Sequence, residues 1–185
     1  MSRIVCQFSC GAASAIATKL ILGEHDPARV VIANAFLLEE HEDNRRFAAD
    51  CERWFNHPIT VLRDEKYGAS VHAVWRKERF MKSQYGASCS MRLKRELLDA
   101  FVLPGDTLVM GFTAEEEDRA ERYIACGVLC PLIDRGLKKA DCLAMVRAFF
   151  PRTSSRVLPI ACGPRLARRS MRQRHDPAFY RILRG

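Results

Sequence analysis

Small residues carrying hydroxyl and thiol groups gather in one short stretch near the start of the chain, Ser9-Cys10-Gly11-Ala12-Ala13-Ser14. Small side chains there let backbone N–H groups approach a ligand, and a helix N-terminus adds partial positive charge. The hydroxyls of Ser9 and Ser14 can donate to phosphate oxygens. The same residues also suit a tight strand-to-helix turn in which Ser9 caps the helix. The spacing is neither G-x-G-x-x-G nor a Walker loop, which needs a lysine. Further on, Glu40, His41 and Asp43 can contact a ribose or a base. They equally suit a solvated turn in which Asp43 or Asn44 caps the next helix. Arg92, Lys94 and Arg95 form a basic helix start suited to an anion. Glu116 and Arg119 lie three apart, so they share a helix face, either as an ion pair or positioning a phosphate or sulfate.

Two thiols have surroundings that favour a nucleophile. Cys162 is followed by Arg165, Arg168 and Arg169, whose charge lowers a thiol pKa. Cys89 opens a helix-like segment with Arg92 one turn on, although a capping or packing role fits it too. Cys6, Cys51 and Cys142 fall on apolar faces, where cysteine behaves as a small hydrophobe. Cys126-x-x-x-Cys130 has no second pair nearby and is a poor zinc site, so no metal centre is expected. His25, His57 and His72 are isolated, and no Ser/His/Asp triad stands out.

These residues must be carried by strands that alternate with helices. Ile4–Phe8, Arg29–Phe36, Pro58–Leu62, Thr107–Phe112 and Val128–Ile133 read as strands, the second as a run buried on both faces. Ala12–Leu22, Asn44–Phe55, Val71–Phe80, Met91–Val102, Glu115–Ile124 and Ala140–Phe149 read as helices; in the second of these, Phe47, Cys51 and Trp54 share a face. The alternation predicts an α/β fold, a mainly parallel sheet with helices on both faces. Ligands bind such sheets beyond the carboxyl ends of the strands. That rim would hold Ser9–Ser14, Phe36–Asn44 and Gly111–Arg119.

The chain is 185 residues long, 48% apolar and 28% charged, which suits a single core and excludes a disordered or collagen-like chain. Residues 1–150 hold equal numbers of acids and bases, 21 of each. Residues 151–185 hold nine arginines against the single acid Asp176 and so carry the whole net charge of +8. The strand–helix pattern stops at the same place, near Pro151. This divides the chain into a 1–150 domain and an Arg-rich 151–185 segment. The segment is either a solvated surface or a grip for phosphate backbones. No apolar run reaches membrane-span length, and the N-terminus lacks the pattern of a signal peptide. A cytoplasmic protein with free thiols and no membrane contact is the expectation.

FSCGAAS resembles the S-G-G-x-D-S pyrophosphate loop of the adenine nucleotide alpha-hydrolase superfamily, in particular its phosphoadenosine phosphosulfate (PAPS) reductase branch. EEHEDNRRF (Glu39–Phe47), GASCSMRLKRELL (Gly86–Leu98), GFTAEEEDRAERY (Gly111–Tyr123) and PLIDRGLKKADC (Pro131–Cys142) are similar to further blocks of that family, in its order. The resemblance implies a three-layer α/β sandwich that binds an adenylyl nucleotide through Ser9, Cys10, Gly11, Ala12, Ser14, Glu40, His41, Arg92, Lys94, Glu116 and Arg119. In it Arg119 is an anion ligand oriented by Glu116. A thiolate, Cys162 or Cys89, would attack the sulfur of PAPS, with sulfite and adenosine 3′,5′-bisphosphate as products. A thioredoxin-like protein would be the reductant, with no tightly bound cofactor and no iron–sulfur cluster.

The chain departs from the family at Cys10 and Ala13, where ATP-using members carry Gly and Asp, and at Phe36, where an acid is expected. Ala161-Cys162-Gly163-Pro164-Arg165 stands in place of a Glu-Cys-Gly-Leu-His segment. Two alternatives therefore stay open. One is cleavage of ATP at the alpha-phosphate, with Mg, to activate a nucleic-acid base for sulfur insertion. The other is a non-catalytic nucleotide- or nucleic-acid-binding module. In either, the 151–185 segment would hold the nucleic acid.

Overall fold

β2 (Val30–Ala35) is apolar at nearly every position because it runs through the middle of the sheet. It pairs in parallel with β1 (Ile4–Gln7) on one edge and β3 (Ile59–Leu62) on the other. β6 (Thr107–Val109) pairs in parallel with the far edge of β1, giving the order β3-β2-β1-β6. The computed structural model describes residues 2–83 and 86–150. Over these it is an α/β protein with a four-stranded parallel sheet, as the alternation of apolar runs predicts.

Each parallel pair needs a crossover, and the crossovers supply the helices. α1 (Ala12–Glu24) is Ala- and Leu-rich, with no proline to break it. α2 (Glu42–Phe55) ends at Asn56, which takes the left-handed conformation that asparagine tolerates (φ 51°). The Lys19 ammonium donates to the Trp54 carbonyl at 2.7 Å, answering one of the acceptors a helix end leaves open. α3 (Val71–Glu78) is capped by Ser70, whose hydroxyl accepts from the Ala73 amide. A two-strand hairpin, β4 (Lys82–Ser83) with β5 (Gly86–Ala87), leads into a helical run. That run comprises α4 (Ser88–Ser90), a π-helical segment (Met91–Arg95) and α5 (Glu96–Phe101). α6 (Glu117–Ile124) and α7 (Lys139–Phe149) follow β6.

Alternation along the strands sorts the core. Ile4, Cys6 and Phe8 of the first strand and its continuation, with Val30 and Ile32, pack against Ile16 of α1, Phe47 and Cys51 of α2, and Val146 of α7. Phe8 meets Phe55 edge-on at 5.9 Å, and Phe47 meets Phe150 at 5.8 Å. Trp54 stacks on Phe149 and stands edge-on to Phe150, which pins the end of α7 to α2. A second cluster joins Leu37, Tyr67, Val71, Val74, Cys89 and Leu93. It ties the loop after β2 to α3 and to the 88–95 turns.

Three sequence expectations change. Val128–Ile133 is not a strand: one parallel bridge, Val109 to Leu129, is all it contributes. Pro131 has no N–H to offer a ladder. The chain instead turns, with the Ile133 and Asp134 amides donating to the Cys130 carbonyl. The helix expected to begin at Met91 begins at Ser88. The helix expected to begin at Asn44 begins at Glu42, capped by His41 rather than by Asp43 or Asn44. No helix among the described residues is long and apolar enough to cross a membrane.

Phe47 is fully buried where α1, α2 and α7 meet. Phe47→Ala should therefore cost about 3–5 kcal/mol of stability by urea unfolding, with the denaturant slope unchanged.

Candidate functional site

The order β3-β2-β1-β6 creates a switch point between β1 and β6. The chain leaves β1 toward β2 and later returns on its other side, so the loops at the carboxyl ends of β1 and β6 diverge. The Ser9–Ser14 loop and the Gly111–Glu116 segment follow these two strand ends. Gly111 packs directly on the start of α1: a Cβ added there would lie 2.8 Å from the Ser14 Cα and 2.9 Å from the Ser14 nitrogen. Only glycine fits, and its contact holds the two loops together.

Within the first loop, Ser14 acts as an internal brace. Its hydroxyl oxygen accepts from the Ser9 amide at 3.1 Å and the Gly11 amide at 3.4 Å, and its proton goes to the Gly11 carbonyl at 3.0 Å. Ser14 is buried, while Ser9 is exposed and its hydroxyl reaches Ser14 at 3.2 Å. Gly11 caps α1 with its backbone and Ala12 opens the helix. The first-turn amides of such a helix have no partner within it. Cys10 holds a left-handed backbone (φ 56°), a conformation that favours glycine. Its buried sulfur accepts a hydrogen bond from the Asn34 amide at 3.4 Å, and the same amide donates to the Phe8 carbonyl at 2.8 Å.

Burial, with the Glu40 carboxylate nearby, pushes the Cys10 thiol up to about 12; Lys94 and the Asn34 hydrogen bond pull the other way. The neighbours named there show the site's assembly. Lys94, from the π-helical segment, donates to the Glu40 carboxylate at 3.1 Å, and both lie beside Cys10. The Lys94–Glu40 pair thus lies close enough to act on Cys10 electrostatically, and the widened helical turn carries the cation. π-turns of this kind are common at functional sites.

The other candidates lie elsewhere on the rim or away from it. His41 accepts from the Asp43 amide through Nδ1 at 3.1 Å and serves as the α2 cap. Glu116 and Arg119 form the i, i+3 ion pair at 2.6 Å, while the other Glu116 oxygen faces the Thr113 amide and hydroxyl. Arg119 also lies over the Phe112 ring and remains exposed. Arg92 turns toward Glu78 and Glu96, and Glu78 in turn accepts from the Tyr67 hydroxyl at 2.7 Å. Cys89 sits in the second apolar cluster at 1% exposure. Cys162 and the Arg-rich 151–185 segment lie outside the described residues.

Sequence reasoning missed Glu39. Its carboxylate accepts from the Ser70 hydroxyl at 2.5 Å and the Val71 amide at 2.9 Å, capping α3 from 31 residues away. Burial alone would raise its pKa, but these hydrogen bonds, with one from His72, win and hold it below the usual carboxylate range. No local pattern announces such a cap. Among the seven described cysteines, only Cys126 is exposed. Cys130 is buried, so the close pair in sequence does not share one environment. Comparisons of the chain with protein-family models and with curated proteins found no match.

Two outcomes follow. Gly111→Ala should lower stability by about 1–3 kcal/mol through overpacking and speed amide exchange across Gly11–Ala15. Iodoacetamide at pH 8 should label Cys126 in the native chain. Cys6 and Cys10, both pushed up to about 12 by burial, should react only after unfolding, as should the buried Cys89. Peptide mapping would read both classes, and fast labelling of Cys10 or Cys89 would contradict this packing.

Proposed function

We propose that the chain is a nucleotide-binding protein of the three-layer adenine nucleotide alpha-hydrolase type. More particularly, we read it as a PAPS reductase-like enzyme acting in the cytoplasm with a thioredoxin-like reductant. The observation that carries this reading is the loop after β1. It lies at the sheet's switch point, opens a 13-residue helix, and holds residue 10 in the left-handed backbone that a glycine-rich pyrophosphate loop requires. Cys10 stands where the family carries glycine, and its backbone keeps the glycine conformation. The sulfur is accommodated by Asn34.

The roles follow from geometry and charge. The α1 amides beyond the Ser14 brace, with Ser9, would receive phosphate oxygens. Lys94, held 3.1 Å from Glu40, would turn its remaining N–H donors to an anionic ligand. Arg119 would meet the sulfate or a phosphate from the far side of the switch point, held by Glu116. In the reaction, the thiolate of Cys162 would form a bond to the PAPS sulfur as the sulfur–oxygen bond to the phosphate breaks. The leaving group is adenosine 3′,5′-bisphosphate. The reductant's dithiol then attacks the resulting S-sulfonate and becomes a disulfide as sulfite leaves. Cys89, buried among Leu37, Val74 and Leu93, acts in this reading as packing.

Calorimetric titration of the purified chain with PAPS, adenylyl sulfate, AMP, and ATP with and without Mg tests the reading. Micromolar binding of PAPS in preference to ATP is expected, weakened about tenfold or more in Lys94→Ala. Cys162→Ser should abolish sulfite release and leave PAPS binding unchanged. Mg-dependent preference for ATP would transfer the assignment to alpha-phosphate cleavage. The absence of any nucleotide binding would overturn both and leave a binding module of another kind.

A further inference from the structure

Phe36, at the end of β2, stands where an acid was expected, and two arginines cover its ring. The guanidinium carbon of Arg63 lies 4.1 Å from the ring centroid and that of Arg45 lies 5.2 Å away. Both side chains are exposed. Arg45 makes one hydrogen bond, to the Leu38 carbonyl at 3.5 Å, and neither arginine has a carboxylate partner among the described residues. Most rim cations are paired: Lys94 with Glu40, Arg119 with Glu116, Arg46 with Asp43 and Asp50. Two like charges held against one ring without a counter-charge repel each other, and an anion between or beside them relieves that repulsion. Contact with one ring holds both guanidinium groups near each other, and guanidinium donors suit phosphate.

The position of the patch says which phosphate. Arg45 lies on α2, and α7 ends against that same helix, with Phe150 on Phe47 and Trp54. The chain therefore enters its 151–185 segment, with nine arginines and one acid, beside the helix that carries Arg45. A single small anion needs only one of these two basic features. A ligand with regularly repeated negative charge can engage both.

We propose that Arg45, Phe36 and Arg63 form a phosphodiester-binding clamp for a single-stranded nucleic acid at the strand-end rim. The clamp grips the backbone rather than the bases, because the Phe36 ring is already occupied by guanidinium. Its binding is therefore sequence-tolerant and steeply dependent on salt. It goes beyond the nucleotide reading and does not depend on it.

Fluorescence anisotropy with a labelled oligothymidylate of about 20 nucleotides, titrated from about 50 to 200 mM salt, is the test. The full chain should bind with a steep negative slope of log K against log salt. The double variant Arg45→Ala/Arg63→Ala should bind about tenfold more weakly, with the slope reduced by about 1.4, the value for two single-strand phosphate contacts. Its melting temperature and its PAPS titration should match the parent chain, which separates failure of the clamp from failure of the nucleotide reading. A 4-thiothymidine strand photo-crosslinked to the unmutated chain supplies a readout independent of any variant. Cross-links in peptides containing Phe36, Arg45 or Arg63 are expected. No binding by the full chain, an unchanged slope in the double variant, or cross-links confined to 151–185 would each overturn the clamp.

Discussion

β1 is hydrogen-bonded to parallel neighbours along both edges, and the rest of the arrangement depends on that. Parallel partners cannot be joined by a tight turn, so the chain must cross the sheet each time it adds one. Because β2 is added on one side of β1 and β6 on the other, two loops leave the same end of the sheet in opposite directions. The divergence of the two loops is thus a consequence of strand order. Gly111 then draws the β6 loop against the first turn of α1, so the two loops are mechanically joined.

Charge on the rim is distributed with the same economy. Lys94 reaches Glu40 across 54 residues of sequence, and Arg119 bonds to Glu116 within one helical turn. The Arg119 pair is exposed and contributes little net stability, whereas the Glu40 carboxylate is nearly buried and holds Lys94 in place. Arg45 and Arg63 are held differently, by an aromatic ring that orients without neutralising. The rim therefore presents two kinds of cation. One kind is poised in pairs near the first loop, and the other is uncompensated beside β2 and β3.

What the sequence disclosed was mostly what depends on neighbours in sequence. The runs around Ile4–Gln7 and Val30–Ala35 showed their burial, and the Phe47, Cys51 and Trp54 spacing showed which face of α2 points inward. The loop Ser9–Ser14 was legible because strand, small residues and helix follow one another directly. The run at Val128 misled because apolar composition cannot distinguish a strand from a buried turn, and Pro131 was the signal against it. Long-range contacts left no trace. Glu39 capping α3, the Lys94–Glu40 pair and the convergence of Arg45 and Arg63 on Phe36 each join segments that only the fold brings together. The hairpin at Lys82–Ser83 and Gly86–Ala87 is too short for a period-two pattern to register.

The central claim is that the loop after β1, with the Lys94–Glu40 pair acting on it electrostatically, is where an adenylyl nucleotide binds. The most direct measurement is a map of backbone amide chemical shifts during titration with PAPS. The account predicts that the largest changes fall on Gly11–Ser14, on Glu40 and on Lys94, with smaller ones near Gly111. Changes centred instead on the cavity lined by Lys19, Phe55 and His57, where the carboxyl ends of α1 and α2 meet, would contradict it, as would no change at all.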